Sequence, residues 1–349
     1  MSASALQSAI RRLAFGESLE ADEAAAAFGV IMSGEASPAQ VAALLVGLRV
    51  KGETAHEVTG AARALRAAMV HLPANRPEDL VDTCGTGGGA VPTFNISTAA
   101  ALLAAGAGVR VAKHGNRSFT SQCGSADVLE ALGVSLEAPV ATLERALTEA
   151  GIAFMFAPAM HPAMRHVGPV RRELAIPTVM NIVGPLANPA GAGRQVVGVA
   201  DERRMPLLAG ALAALGTVHA LVVHGEPGMD EVSPLGLTRV AEVREGSVRE
   251  WTIDPREFGM AGLDPAMLAG GAPADNARTI LDVLASRGSV EARAAVCLNA
   301  AAALYVAGRG TSFAACVDEA KQALESRVGL SALERLRAAY GARATGGAQ

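Results

Sequence analysis

From about residue 80 to residue 223, short β-type apolar runs alternate with glycine turns and Ala- or Leu-rich stretches. The runs fall at 80–81, 109–112, 153–156, 196–199 and 220–223. Strand, turn and helix in that repeated order leave few folds open, because such strands lie parallel and need helices over the sheet's faces. The expected class is therefore α/β, with a central, mostly parallel sheet flanked by helices. Hydrophobic residues make up 50% of the 349 but aromatic ones only 3%, so the covering helices must pack through small side chains. That scarcity also argues against a surface that stacks nucleic-acid bases.

The N-terminal stretch has another texture. Val41, Leu44, Leu45 and Leu48 recur at helical spacing. Ser37, Pro38 and Gln40 supply a hydroxyl cap, a proline at the first helical position and a reciprocal side chain at the third, and Thr54 with Glu57 repeats the pattern. These signals predict a small all-helical domain over 1–72 and a larger α/β domain over 73–349. The Pro- and Gly-punctuated segment 165–192, with a helical piece at 169–174, is a candidate to return to the helical domain. Helices resume after Pro255, at 277–286 and 292–306, and the Gly/Ala-rich tail from Ala342 is expected to fray.

Thirty basic against 34 acidic residues give a net charge of −4, so no global basic field holds a nucleic-acid backbone. Phosphate recognition must then be concentrated in a pocket. Cys84, Cys123, Cys297 and Cys316 form no C-x-x-C pair and have no histidine at zinc-ligand spacing, which predicts free thiols in a reducing cytosol. The longest apolar run, 99–109, is too short to span a bilayer, and Arg11 and Arg12 precede no signal-like core. A cytoplasmic chain with no membrane partner is the expectation.

Four clusters are candidates to carry chemistry. The run 82–98 follows a short strand, passes through Gly85, Gly87, Gly88 and Gly89, and enters an Ala-rich helix at Ser97 and Thr98. Glycines can turn backbone N–H groups toward an anion, and a helix N-terminus favours phosphate; the run is neither a Walker loop nor a dinucleotide fingerprint. A plain glycine turn with an ordinary cap is the other reading. Lys113, His114, Asn116, Arg117 and Ser118 follow the next strand, with Ser121 and Ser125 close behind, and gather phosphate donors at a strand end. Asp230 and Glu231, on a loop after 220–223, offer the hard oxygens that Mg²⁺ prefers, although such a pair alone is usually a solvated loop. Arg171 could fork onto a carboxylate, or Arg172 and Glu173 beside it could simply pair on a helix surface.

Together the run 82–98, the block 113–118 with 124–127, the stretch 161–172, the segment 181–189, and His224-Gly225 with Asp230-Glu231 resemble the anthranilate phosphoribosyltransferase family, over about residues 5–340. The resemblance implies the fold shared with pyrimidine nucleoside phosphorylases, and homodimerisation through the helical domain. It implies transfer of the phosphoribosyl group of 5-phosphoribosyl 1-diphosphate to the amine of anthranilate, with pyrophosphate leaving, the second step of tryptophan biosynthesis from chorismate. Carried over position by position, Gly85, Gly88, Gly89, Thr93, Asn95, Ile96, Ser97, Thr98, Lys113, Ser121 and Ser125 would hold the phosphoribosyl diphosphate. Gly85, Asn116 and Arg171 would contact anthranilate, and Lys113, Asn116 and Arg171 would be the catalytic set. Ser97, Asp230 and Glu231 would bind magnesium, two ions per subunit.

The chain departs from the family where Gly89 and Ala90 stand in place of a usual Asp-Gly and Pro92 replaces a polar residue. A side-chain carboxylate contact is lost there, leaving only backbone at Gly89. Two rivals share the scaffold: a pyrimidine nucleoside phosphorylase using inorganic phosphate, and a catalytically silent homologue that binds nucleic acid.

Overall fold

The computed structural model describes residues 3–118 and 122–341. The tail from Ala342 lies outside the described residues. Four helices open the chain: α1 (Ala3–Ala14), α2 (Ala21–Met32), α3 (Pro38–Lys51) and α4 (Ala55–Ala67). Both predicted caps are present. Ser37 accepts from the Gln40 N–H and Thr54 from the Glu57 N–H, and each third-residue side chain reaches back to the cap backbone. Glu57, fully buried, also accepts from the Leu19 N–H and pairs with Lys51 at 2.9 Å. One carboxylate thus ties the start of α4 to the α1–α2 connection and to the end of α3. Gly60 permits the α2–α4 crossing, since a Cβ there would lie 2.4 Å from the Ala21 carbonyl oxygen.

Among the described residues seven strands form one sheet: β1 (Val81–Gly85), β2 (Val111–Gly115), β3 (Ile152–Phe156), β4 (Arg194–Gly198), β5 (His219–Gly225), β6 (Thr238–Arg244) and β7 (Ser247–Ile253), ordered β3-β2-β1-β4-β5-β6-β7. β1 to β5 are parallel, and β6 and β7 join antiparallel at the edge beside β5. The β6–β7 hairpin turns through Glu245 and Gly246, both at positive φ, as a two-residue primed turn requires. Its strands are absent from the sequence-based expectation: β7 is exposed over most of its length and charged, and the mostly buried β6 is interrupted by Arg239, Glu242 and Arg244, so no continuous apolar run marks either.

The remaining helices are α5 (Ile96–Gly106), α6 (Ser125–Ala131), α7 (Val140–Glu149), α8 (Ala157–Met160), α9 (Gly168–Leu174), α10 (Met180–Val183), α11 (Met205–Ala214), α12 (Pro273–Leu284), α13 (Val290–Val306), α14 (Phe313–Glu325) and α15 (Val328–Tyr340). Strand side chains alternate between two cores. Val196, Leu221 and Val223 face the core built with α5, α13 and α15, while Val197, Ala220 and Val222 face the core shared by α1 to α4 and α11. The low aromatic content is legible here: α5 and α13 are buried almost throughout on alanine, and Gly106 packs so closely that a Cβ would meet the Val328 carbonyl at 2.4 Å. No helix among the described residues is long and apolar enough to cross a membrane.

The chain crosses between the two regions three times, near residues 70, 160 and 189. Val170, Val179, Ile182, Val183 and Leu186 are buried in the core of the N-terminal helices, and Arg66 Nε donates to the Leu186 carbonyl at 2.7 Å. The first crossing holds the other two: the Val70 N–H donates to the Met160 carbonyl at 2.8 Å and the Leu72 N–H to the Pro189 carbonyl at 2.9 Å. Just beside them sits buried Asp82, accepting from the His114 N–H at 3.1 Å and from Asn188 Nδ2 at 2.8 Å. Asn188 also donates to the Ala112 carbonyl and accepts from the Ala190 N–H. Burial pushes the Asp82 carboxyl up to about 6, against the opposing pull of Lys113 and these hydrogen bonds.

Two outcomes follow from these buried carboxylates. Glu57→Ala strands Lys51 and two backbone donors, and urea unfolding should show a loss of about 3 kcal/mol; a loss below about 1 kcal/mol would refute the stitching role. Asp82 holds its proton in the folded chain to about pH 6 but loses it near its ordinary value of 3.8 when unfolded. Between those values the folded state binds the extra proton, so wild-type stability falls as pH rises. The stability of Asp82→Asn relative to wild type should therefore improve by about 2 kcal/mol from pH 4 to pH 7. A difference that does not change with pH would contradict it.

Candidate active site

β1 and β4 are neighbours, yet the chain leaves β1 for β2 and β3 on one side and returns to β4 on the other. The winding direction of the sheet reverses between them, and the crevice beyond the carboxyl ends of strands at such a reversal is where α/β sheets hold ligands. Gly85 and Gly198, paired in register, end the two strands at this point. Both need to be glycine. A Cβ at Gly198 would lie 1.7 Å from the Asp230 carbonyl oxygen, and one at Gly85 would lie 2.8 Å from Asp230 Oδ2. Gly89 faces the same carboxylate, with Asp230 Oδ1 at 3.0 Å from its would-be Cβ. Gly87 and Gly88, at φ of 70° and 80°, turn the loop through the left-handed region.

The loop after β5 therefore lies directly on bare backbone. Asp230 Oδ2 accepts from the Gly87 N–H at 2.9 Å, and Glu231 Oε1 accepts from the Ser97 N–H in the first turn of α5 at 3.1 Å. Lys113, buried at the end of β2, donates to the Thr83 carbonyl and lies 3.4 Å from Ser97 Oγ. Burial lowers the Lys113 ammonium and raises both acidic side chains, with Asp230 adding to the rise at Glu231. Cys84 is pushed well above the ordinary thiol range by burial, so it is no ready nucleophile. Beside it, Thr98 Oγ1 is buried without a hydrogen-bond partner in the first turn of α5.

Neither Asp230 nor Glu231 forms an ion pair among the described residues, although both are acidic and half-buried. Adjacent hard-oxygen donors whose ionisation burial opposes, beside a helix N-terminus that would receive phosphate, fit a divalent cation shared between protein and substrate oxygens. Among the described residues no group of three or more His, Cys, Asp or Glu could hold a metal ion.

The loop after β2 closes on itself. Ser125 Oγ donates to the Asn116 carbonyl at 3.3 Å, Asn116 Oδ1 accepts from the Arg117 N–H, and a Cβ at Gly115 would meet Ser125 Oγ at 2.2 Å. Arg117, placed among the phosphate donors on sequence grounds, is instead paired with Asp127 and Glu130 at 2.8 and 2.6 Å. Asn95 is tied by its amide to the Cys123 carbonyl and to Asn276, and Phe94 donates its N–H to the Leu268 carbonyl. Thr93 packs its carbonyl against Gly270. Asn276, Gly270 and Gly198 went unmarked in the sequence; a buried asparagine opening an amphipathic helix was the one available signal.

The structure thus brings Gly85, Gly89, Ser97, Lys113, Asp230 and Glu231 together, with Ile96 and Thr98 in the same helical turn and Gly88 in the same loop. Asn116 and Ser125 join at the end of β2. Arg171 stands apart from these on α9, partly buried, with burial lowering its guanidinium and no hydrogen-bond partner for its side chain among the described residues. Its segment reaches β2 through His161, whose Nε2 lies 3.2 Å from His114 Nε2; burial holds both imidazoles neutral, at about 4 and about 3. Ser121 lies outside the described residues.

Comparisons with known proteins cover both regions of the chain. A glycosyl transferase family α/β-domain model matches residues 77–328, and the helical bundle domain model of the same family matches 7–69. Anthranilate phosphoribosyltransferase of Rubrobacter xylanophilus is 52% identical over 330 residues, covering 95% of this chain and 96% of that protein. The crystal structure of the Thermus thermophilus enzyme superposes with a TM-score of 0.89 at 44% identity, covering 95% and 99% of the two chains. The Saccharomyces cerevisiae enzyme, solved in complex with PRPP and Mg, superposes with a TM-score of 0.86 at 27% identity over 97% of this chain and 98% of its own. With relatives this similar over nearly its whole length, the chain belongs to the anthranilate phosphoribosyltransferase family.

Proposed function

We propose that the chain transfers the phosphoribosyl group of 5-phosphoribosyl 1-diphosphate to the amine of anthranilate, giving N-(5-phosphoribosyl)anthranilate and pyrophosphate, the second step from chorismate to tryptophan. The observation that carries this reading is the meeting of a glycine loop, a helix N-terminus, a buried lysine and two adjacent carboxylates at the sheet's winding reversal. Gly85, Gly88, Gly89, Thr93, Asn95, Ile96, Ser97, Thr98, Lys113, Ser121 and Ser125 hold the diphosphate substrate. Ser97, Asp230 and Glu231 hold Mg²⁺, two ions per subunit, and the ions when bound neutralise charge on the leaving diphosphate.

The chain's own residues do the rest by position and field. As the C1–O bond breaks, its electron pair passes to the diphosphate, and Lys113 with the amides of the glycine run and of α5 stabilise that growing charge. The amine lone pair forms the C1–N bond and the nitrogen then sheds a proton. An aromatic amine needs orientation more than deprotonation, so Arg171 is placed to grip the anthranilate carboxylate and Asn116 to hold the amine. Lys113 is suited to its role because its ammonium is positioned by donation to the Thr83 carbonyl, close to Ser97 Oγ.

The subunits pair through the helical domain. Phe15, in the turn after α1, and Val50, on α3, are 84% and 82% exposed, large apolar side chains that a lone chain would leave in water. Free thiols at all four cysteines suit a reducing cytosol.

Loss of anthranilate fluorescence on mixing protein, anthranilate, phosphoribosyl diphosphate and Mg²⁺ tests the activity. Rapid loss that EDTA abolishes is expected, and persistent fluorescence would refute the transferase reading. Arg171→Ala should raise the KM for anthranilate about 10- to 100-fold with kcat changed far less, as loss of a charge-assisted contact made equally in ground and transition states requires. An unchanged KM would remove Arg171 from the site. In sedimentation the wild type should run at twice its 35.3 kDa chain mass, and Phe15→Glu with Val50→Glu should run as a monomer; a double variant that stays dimeric would move the interface elsewhere.

A further inference from the structure

The two carboxylates already have partners in the folded chain. Asp230 Oδ2 takes the Gly87 N–H and Glu231 Oε1 takes the Ser97 N–H, at 2.9 and 3.1 Å. Both donors are of the kind that seeks an anion. Gly87 lies in the left-handed turn of the glycine run, and Ser97 in the first turn of α5, where helix amides lack intrahelical acceptors. Each amide that would meet a phosphate oxygen is therefore filled by a carboxylate oxygen of the chain itself. The fit is tight: Gly85 and Gly89 leave room for the Asp230 carboxylate and nothing more, with Cβ positions 2.8 and 3.0 Å from its two oxygens.

Resting on the function proposed above, we infer that Asp230 and Glu231 are internal stand-ins for the diphosphate. They are positioning residues that keep the glycine run and the first turn of α5 in an anion-receiving shape, and they must leave those amides before the substrate takes them. The same two side chains are the ones offered to the cation. Their departure toward it and the arrival of diphosphate at the vacated amides are then one event, so cation and diphosphate bind with positive coupling that exceeds simple neutralisation of charge. A carboxylate that merely repelled the substrate would give coupling too, but would not care whether its replacement can accept a hydrogen bond.

That difference makes the test. Binding of inorganic pyrophosphate is measured by calorimetry in EDTA for wild type, Asp230→Ala and Asp230→Asn, with thermal melting as the check on folding. Asp230→Ala, with neither competitor nor charge, should bind about 10-fold more tightly than wild type, the size of one charge-assisted hydrogen bond. Asp230→Asn should fall between the two, because its amide oxygen still accepts from Gly87. Equal affinity of Ala and Asn variants would reduce the effect to charge and overturn the inference, as would an Ala variant no tighter than wild type. If the Ala variant fails to fold, Asp230→Asn must still bind more tightly than wild type in EDTA, and equal affinity overturns the inference. In hydrogen exchange the amides of 85–89 should exchange faster in metal-free Asp230→Ala than in wild type and regain protection on adding pyrophosphate; unchanged exchange would count against the contact. Wild type is also titrated with pyrophosphate and Mg²⁺ together. Failure there removes the substrate site itself, whereas binding there with no metal-free gain in the variants removes only the stand-in role.

Discussion

Backbone resting on backbone at the ends of β1 and β4 is the constraint on which the site depends. The loop carrying Asp230 can reach the glycine run only because Gly198 and Gly85 present no side chain, and the distances leave no tolerance at Gly198. That approach brings two carboxylates to the first turn of α5 and to the loop amides in one step. The sheet supplies the rest: parallel neighbours in register put β1, β2 and β4 ends at one level, so Lys113 from β2 reaches Thr83 on β1 and lies close to Ser97 on α5. A strand order that reversed elsewhere would scatter the same residues.

A second constraint is the polar seam between the two cores. Asp82 and Asn188 bind β1, β2 and the returning segment through charged and amide hydrogen bonds in a fully buried setting. Buried polar groups are tolerated only when satisfied, so this seam fixes where the segment bearing Arg171 leaves the sheet. Beyond it, the helical region and the returning segment share one apolar core, and the crossings touch through two backbone hydrogen bonds.

How much of this was legible depended on the range of the signal. Local chemistry reads well from sequence: the caps at Ser37 and Thr54, the strand–glycine–helix rhythm, and the helix opening at Ser97 are set within a few residues. The family resemblance added the reaction and the ligand sets. Strand β7 was not legible, because an exposed charged edge strand carries no apolar run, and β6, though mostly buried, is broken up by Arg239, Glu242 and Arg244. Nor was Arg117's true engagement, since a guanidinium in a polar loop looks the same whether it awaits a phosphate or already faces Asp127 and Glu130. Gly198 and Asn276 matter through contacts with residues more than 30 and 180 positions away, and spacing along the chain says nothing of such partners.

The departure at Gly89 and Ala90 finds its physical sense in that same close approach. A side chain at 89 would press on Asp230 Oδ1 and the Gly228 carbonyl, at 3.0 and 3.1 Å from its Cβ, so glycine here frees Asp230 to lie flat over the loop. Ala90 in turn donates its N–H to the Gly228 carbonyl, and its methyl group occupies the space that Gly228, at a φ of 104°, leaves by having none. Loop and counter-loop are complementary in which positions carry a side chain and which do not. With glycine at 89 this chain relies on Asp230 and on backbone, and the glycine run is kept in shape by an acid reaching across from the loop after β5.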